Sequence, residues 1–157
     1  MTSSFRIIAL SESLFDAYRQ MTADELKQHK AAWLTVDANP GFPCRVSLED
    51  ARVGEKVLAL SFQHLDVGSP YDGSGPIFVR EQARRKVWLP GEVPHMLRIR
   101  NLSLRGYDHN GYMLEAEVVA GENLESRVIA IFDNPKVAYI HVHNASPGCF
   151  DCRVERV

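Results

Sequence analysis

The chain has 157 residues, a formal net charge of -2 at pH 7 and 45% hydrophobic residues. This length predicts one globular domain over residues 1–157, large enough to fold without disulfides. Three cysteines, an amino terminus without a signal-peptide pattern and apolar runs too short to cross a bilayer predict a cytoplasmic protein with free thiols and no membrane partner.

The charge is unevenly distributed along the chain. Residues 79–106 carry seven lysines and arginines against two glutamates, and residues 107–125 carry acidic residues and no basic one. Neighbouring elements that neutralise each other explain this pattern best, and a basic groove for phosphate or carboxylate ligands is the alternative. The arginines do not alternate with stacking aromatic residues, so the pattern predicts no nucleic-acid partner.

The first half of the chain is predicted to form short helices followed by strands. Residues 5–10 have the pattern of a strand and residues 11–20 that of a short helix. Thr22 and Glu25 form a capping box, which predicts a helix to about residue 30. Further strands are predicted over residues 32–36, 56–64 and 76–80.

One of these strands and the loop after it carry polar residues. The apolar row of residues 58, 60 and 62 continues into His64, so we expect this histidine at the end of a buried face. The connection at residues 65–75 is rich in glycine, serine and aspartate and carries Tyr71. A loop of this length inside a small domain is often functional.

A hairpin is predicted between residues 102 and 119. A three-residue loop at residues 109–111 pairs Arg105 with Glu115 and Leu102 with Val118, which matches polarity on both faces. The same loop predicts that Gly111 adopts the left-handed backbone conformation as a bulge residue.

The strongest helical pattern of the chain covers residues 121–133. Its apolar face consists of four residues at helical spacing: Leu124, Val128, Ile131 and Phe132. Asn134 and Pro135 are predicted to end it. Together the elements predict a single α+β domain with a mixed or mainly antiparallel sheet and few helices.

Residues 137–144 form the strand in which side chains capable of chemistry are densest. Alternate residues of a strand share a face, so Tyr139, His141 and His143 point to one side. We expect this strand to line a polar cleft together with the Tyr71 loop and the turn at residues 44–45.

One interpretation of the cleft is a metal-free site for a small anionic or polar molecule. His141 and His143 are its candidate bases, because imidazole titrates near neutral pH. Tyr71 is its candidate hydrogen-bond donor. The planar guanidinium of an arginine can donate two parallel hydrogen bonds to a carboxylate or phosphate. The residues predicted to bind the ligand are Arg45, Arg80, Arg105 and Asn144. An enzyme and a ligand-binding module would share these residues, and the sequence leaves both open.

A second interpretation is a divalent metal site, most simply for zinc. His141 and His143, two positions apart on a strand, can chelate one ion, and Cys149 is the predicted third ligand, with Cys152, Cys44 and His64 as other candidates. Two further alternatives are thiol chemistry by the Cys149 and Cys152 pair, and a structural or interaction role in which the histidines satisfy buried polar groups.

Several long motifs of the chain are distinctive, and they span residues 40–51, 69–71, 74–81, 102–105, 137–145 and 147–149. In these motifs the chain resembles a bacterial family of proteins of unknown function, catalogued as family 1203. The resemblance implies a small soluble bacterial protein and implies no activity, and Cys152 lies outside the shared motif.

Overall fold

Two antiparallel sheets form the framework of the structure, a computed structural model that describes residues 4–157. The fold is a single α+β domain, as the sequence predicts. In chain order its elements are β1 (Phe5–Ile8), α1 (Asp16–Arg19), α2 (Ala23–Gln28), β2 (Ala31–Thr35), β3 (Lys56–Leu65), β4 (Gly73–Arg80), α3 (His95–Arg98), β5 (Asn101–Tyr107), β6 (Met113–Ala120), α4 (Leu124–Phe132), β7 (Tyr139–Asn144) and β8 (Phe150–Arg156).

The larger sheet has the strand order β1-β8-β7-β5-β6 and the smaller has β2-β3-β4. Every pair of neighbouring strands is antiparallel, which confirms the mainly antiparallel prediction. Strand β7 is the central strand of the larger sheet, and each of its six residues is buried. The strand with the two histidines therefore lies in the middle of the protein.

One face of the larger sheet packs against α4 and α3. The predicted apolar face of α4 is confirmed, because all four of its residues belong to this core. The sheet contributes Leu104, Ile140 and Val142, which alternate with the polar residues of their strands. No helix among residues 4–157 combines the length and the hydropathy that crossing a bilayer requires.

The other face of the larger sheet packs against the smaller sheet. Phe62 of β3 lies 6.1 Å from Phe15 and 6.2 Å from Phe150 of β8, measured between ring centroids. Leu65 at the end of β3 joins Tyr107 and Tyr139 of the larger sheet in a separate small core. Side chains of this face are thus enclosed between the two sheets.

The predicted pairing of the β5–β6 hairpin is wrong by one residue. Leu102 pairs with Val119, and Leu104 pairs with Glu117. The shift arises because Leu114 is an unpaired extra residue where the register changes. The predicted loop itself is confirmed, since Gly111 has a φ of +79°.

The observed pairing turns a charged residue toward the helix that covers the sheet. Glu117 receives hydrogen bonds from Nε and an Nη of Arg127 on α4, at 2.5 and 3.0 Å. An ion pair at the edge of the core therefore removes the polarity conflict that the sequence pattern suggested.

Gly121 holds the start of α4 against the segment after α3. Its N–H donates to the carbonyl oxygen of Arg100 at 2.7 Å. A Cβ at this position would overlap the carbonyl oxygen of Leu97 and lie 2.7 Å from that of Arg100. Both obstacles are backbone atoms, so an alanine can be accommodated only if the helix start moves.

We expect Gly121→Ala to lower the free energy of unfolding by about 3 kcal/mol, the upper range for overpacked sites. Urea unfolding followed by circular dichroism measures the change. Gly75→Ala is the control, because its added Cβ meets no atom within 4 Å. Equal stabilities of the two variants would contradict the assigned packing of α4.

Candidate functional site

Three histidines from two different sheets converge in the space between the sheets. His141 and His143 come from β7, and His64 comes from the end of β3. One ligand nitrogen from each lies within 4.8 Å of the others. A β-bulge between Gln63 and Leu65 interrupts the β3–β4 pairing at His64. Bulges re-aim side chains, and here His64 and Leu65 both face the larger sheet.

Phe150 of β8 closes one side of the cluster. Its ring stacks on that of His64 at 5.8 Å with an interplanar angle of 5°. It lies 5.0 Å from the ring of His141 and 5.7 Å from that of His143, close to perpendicular in both cases. The rings of His64 and His143 are themselves 4.8 Å apart at 87°. This packing restricts how far the imidazoles can rotate.

The tautomer of His143 follows from its hydrogen bond. Its Nδ1 lies 2.9 Å from the carbonyl oxygen of Gly148, which can only accept, so Nδ1 carries the proton. Nε2 of His143 is then a bare acceptor. Together with Nδ1 of His64 and Nδ1 of His141, it is buried without a hydrogen-bond partner in residues 4–157.

Burial keeps the cluster uncharged at neutral pH. Desolvation lowers the pKa of His141 and of His143 to about 3, and it also lowers the pKa of His64. The positive charges of Arg105 and Arg153 act in the same direction on His141. Neutral imidazole is the form that binds metal ions.

Arg105 lies directly beside the cluster. It pairs with His141 across the β5–β7 ladder, and its charge lowers the pKa of all three imidazoles. Its Nε donates to the hydroxyl of Ser103 at 3.2 Å. The predicted pairing with Glu115 is absent, and no carboxylate in residues 4–157 forms an ion pair with Arg105.

Tyrosines form the wall next to His141, but Tyr71 lies at its outer edge. The rings of Tyr107 and Tyr139 stack at 5.5 Å, and each lies 5.3 Å from the ring of His141. Tyr71 is 42% exposed and 6.4 Å from Tyr107. The structure therefore places Tyr71 near the site rather than against the histidines.

Arg45, Asn144 and Cys149 belong to a second cavity, of about 550 Å³. Asn144 points to the face of β7 opposite to His143, and its amide donates to the thiol of Cys149 at 3.3 Å. The cysteine predicted as third ligand is thus on the other side of the strand from the cluster, and the third residue of the cluster is His64. Cys152 is fully buried, which raises the pKa of its thiol well above the ordinary value.

Arg80 is not near the histidines. It lies on the face of β4 turned away from the larger sheet, where it pairs with Glu55 at 2.9 Å and Glu49 at 3.4 Å. The single cleft expected from the sequence therefore divides into a histidine cluster with Arg105, a cavity with Arg45, and a separate ion-pair network around Arg80.

The sequence indicated His64 only weakly. Its position at the end of an apolar row predicted that it would be carried on a buried face, and this is confirmed. Nothing in the local pattern showed that this face would meet β7, because His64 and His141 belong to different sheets.

Comparisons with known proteins identify a family without a described activity. The sequence model of DUF1203, described as "Protein of unknown function (DUF1203)", matches residues 41–156. No curated protein and no solved structure matches the chain. The matched region contains His64, His141, His143 and Arg105.

The second cavity is bordered by a buried ion pair with an unusual carboxyl group. Asp151 is fully buried, 3.5 Å from Nε of Arg45, and neither of its oxygens has a hydrogen-bond partner in residues 4–157. Desolvation outweighs the attraction to Arg45 and raises the pKa of Asp151 from 3.8 to about 6. The folded protein therefore holds this proton at a pH where the unfolded chain has lost it.

At low pH the protonated carboxyl of Asp151 makes its full contribution to the free energy of unfolding. This contribution should be lost as the pH rises from about 4 to about 6. Asparagine does not ionise. We therefore expect the free energy of unfolding of Asp151→Asn, relative to that of the wild type, to rise by about 3 kcal/mol between pH 4 and pH 7. Urea unfolding at both pH values measures this difference. Asp37→Asn, at an exposed turn, controls for the loss of one charge, and parallel pH profiles of Asp151→Asn and wild type would contradict the assignment.

Proposed function

We propose that this chain, which belongs to the DUF1203 family, binds a divalent transition-metal ion through His64, His141 and His143 and presents the ion to a small anionic or polar ligand. One observation carries the proposal: His64, His141 and His143 each keep a buried ring nitrogen without a hydrogen-bond partner in residues 4–157, and one ligand nitrogen from each ring lies within 4.8 Å of the others. An unpaired buried polar nitrogen is costly, and a metal ion would bind all three rings at once.

The surroundings of the histidines support ligation. The carbonyl oxygen of Gly148 fixes the His143 tautomer and leaves Nε2 free, as hydrogen bonds to the other ring nitrogen of a ligating histidine do in metal sites. Because the pKa values of His141 and His143 lie near 3, a metal ion would not have to displace protons from them at neutral pH.

The spacing of the ring nitrogens is somewhat wider than in a filled site. The three nitrogens lie within 4.8 Å of one another. In a tetrahedral site with bonds of about 2.0–2.1 Å they would be about 3.3 Å apart. Loading therefore requires the three rings to move closer together.

The ligand chemistry indicates which ions fit. Three nitrogen donors without a carboxylate suit zinc, iron, nickel or copper rather than magnesium or calcium, which prefer oxygen. Three protein ligands also leave a coordination position open, as in catalytic rather than structural zinc sites. When bound, such an ion supplies a Lewis acid that polarises the molecule in the open position.

A gap in β4 provides access to the cluster. The row of β4 that faces the larger sheet begins with Gly73 and Gly75 and continues with Ile77 and Val79, which close the core. A Cβ on Gly73 would lie 3.4 Å from Nε2 of His64, and a Cβ on Gly75 would meet open space. The absence of side chains at the two glycines leaves open space along this row, from the position next to His64 to the one opposite Phe62.

The geometry supports the metal-free alternative less well. A histidine is an efficient general base when its pKa is close to the working pH. Burial lowers the pKa of His141 and His143 to about 3, which makes both weak bases. Tyr71, the proposed donor, does not contact either ring. The same open metal position would serve an enzyme or a binding protein.

Elemental analysis of untagged protein tests the metal site. We expect about one equivalent of a transition metal, and at least tenfold less metal in each of His64→Ala, His141→Ala and His143→Ala, since loss of a ligand should weaken metal binding at least as much as loss of a residue that only orients a ligand. His109→Ala, in the exposed hairpin loop, is the matched control and should keep its metal.

Thermal unfolding gives an independent measurement. A metal at about 100 times its dissociation constant should stabilise the wild type by about 2.7 kcal/mol and His143→Ala by much less. A wild-type protein that neither contains metal nor is stabilised by zinc, iron(II), nickel or cobalt would overturn the proposal.

The role of the glycine gap is tested separately. We expect Gly75→Val to slow metal uptake by the metal-free protein at least tenfold while the final stoichiometry stays unchanged, because the new side chain narrows the open space along this row of β4. Stopped-flow competition with a metal-sensitive dye measures the rate. Ser74→Val, on the opposite face of the same strand, is the control, and equal rates in both variants would show that metal enters elsewhere.

A further inference from the structure

We infer that the open position of the three-histidine site takes an oxyanion, a carboxylate or phosphate group on a small molecule, and that Arg105 binds the same group. This inference rests on the metal site proposed above and names the chemical class of its ligand. It follows from the charges around the site.

A filled site would carry a large uncompensated positive charge. The three imidazoles are neutral, so the ion brings two positive charges and Arg105 adds a third. Three arginines lower the pKa values of the imidazoles by their charge: Arg105 acts on all three rings, Arg153 on His141 and Arg45 on His143. An anionic ligand would supply the missing negative charge in a space between two sheets, where solvent screens poorly.

Of these three arginines, only Arg105 lacks an acidic partner in residues 4–157. Arg45 lies 3.5 Å from Asp151, and Arg153 lies 2.8 Å from Glu155. Arg153 also packs over the ring of Tyr139, 4.1 Å from its centroid. Arg45 and Arg153 are thus each paired with a carboxylate of the fold, whereas Arg105 has only neutral partners in the described residues.

The position of Arg105 suits an anion shared with the metal. It stands opposite His141 on the neighbouring strand and is held at Nε by the hydroxyl of Ser103. The terminal nitrogens of a guanidinium so held form a fork that matches two oxygens of a carboxylate or phosphate. One oxygen of the ligand would bind the ion while others bind Arg105.

Visible spectroscopy of the cobalt-substituted protein tests this inference, because the absorption of bound cobalt changes when a ligand enters its coordination sphere. The probes are sodium acetate and inorganic phosphate at constant ionic strength, with acetamide as the neutral comparison. We expect saturable spectral changes with both anions and none with acetamide.

Variants then isolate the role of Arg105. Arg105→Gln should still bind one cobalt ion but bind both anions at least tenfold more weakly, as expected for loss of a charge-assisted fork. Arg105→Lys keeps the charge without the fork, so its anion affinity should lie between those of the wild type and Arg105→Gln. It also provides the test if the glutamine variant is unstable. Arg153→Gln removes a nearby charge of the same sign and should change anion affinity less than about threefold.

The outcomes separate this inference from the metal proposal. If wild-type protein binds cobalt but neither anion alters its spectrum, or if Arg105→Gln and Arg105→Lys bind the anions as tightly as wild type, the inference is wrong and the metal site stands. If wild-type protein takes up no cobalt or other metal, the proposed function fails and this inference fails with it.

Discussion

The face-to-face packing of the two sheets is the constraint on which the rest of the structure depends. Strand β7 is central in the larger sheet and fully buried, so its polar residues cannot reach bulk water. A buried polar group needs a partner. The carbonyl oxygen of Gly148 supplies one for His143, but one buried ring nitrogen each of His64, His141 and His143 has no partner in residues 4–157. Leaving three such nitrogens in one cluster is costly for the fold, and the proposed metal ion would remove that cost.

Strand β7 also separates two polar regions. Its residues alternate between a face with His141 and His143 and a face that packs on the helices and ends at Asn144. The cavity of about 550 Å³ lies on the Asn144 side, where Arg45 and Arg100 are already held by Asp151 and Asp50. A guanidinium that is saturated by the fold has little left for a ligand, so cavity size is a poorer guide to function here than free coordination capacity.

The structural arginines position the site even though they do not belong to it. Nε of buried Arg45 donates to the carbonyl oxygen of Phe150 at 2.7 Å, which ties the turn at residues 43–45 to the start of β8. The ring of Phe150 in turn packs against all three histidines. Arg105, with no carboxylate partner in the described chain, differs from these arginines in the role that it can take.

The sequence by itself determined the elements and the faces of the protein. The α+β class, the helix over residues 121–133 and the shared face of His141 and His143 follow from periodicities of 3.6 and 2, which local side chains set. Only the tertiary structure decided that His64, and not Cys149, completes the cluster. Pairing between distant strands and bulges at Gln63/Leu65 and Leu114 depend on packing against other segments, and a shift of one residue exchanges the two faces of a strand.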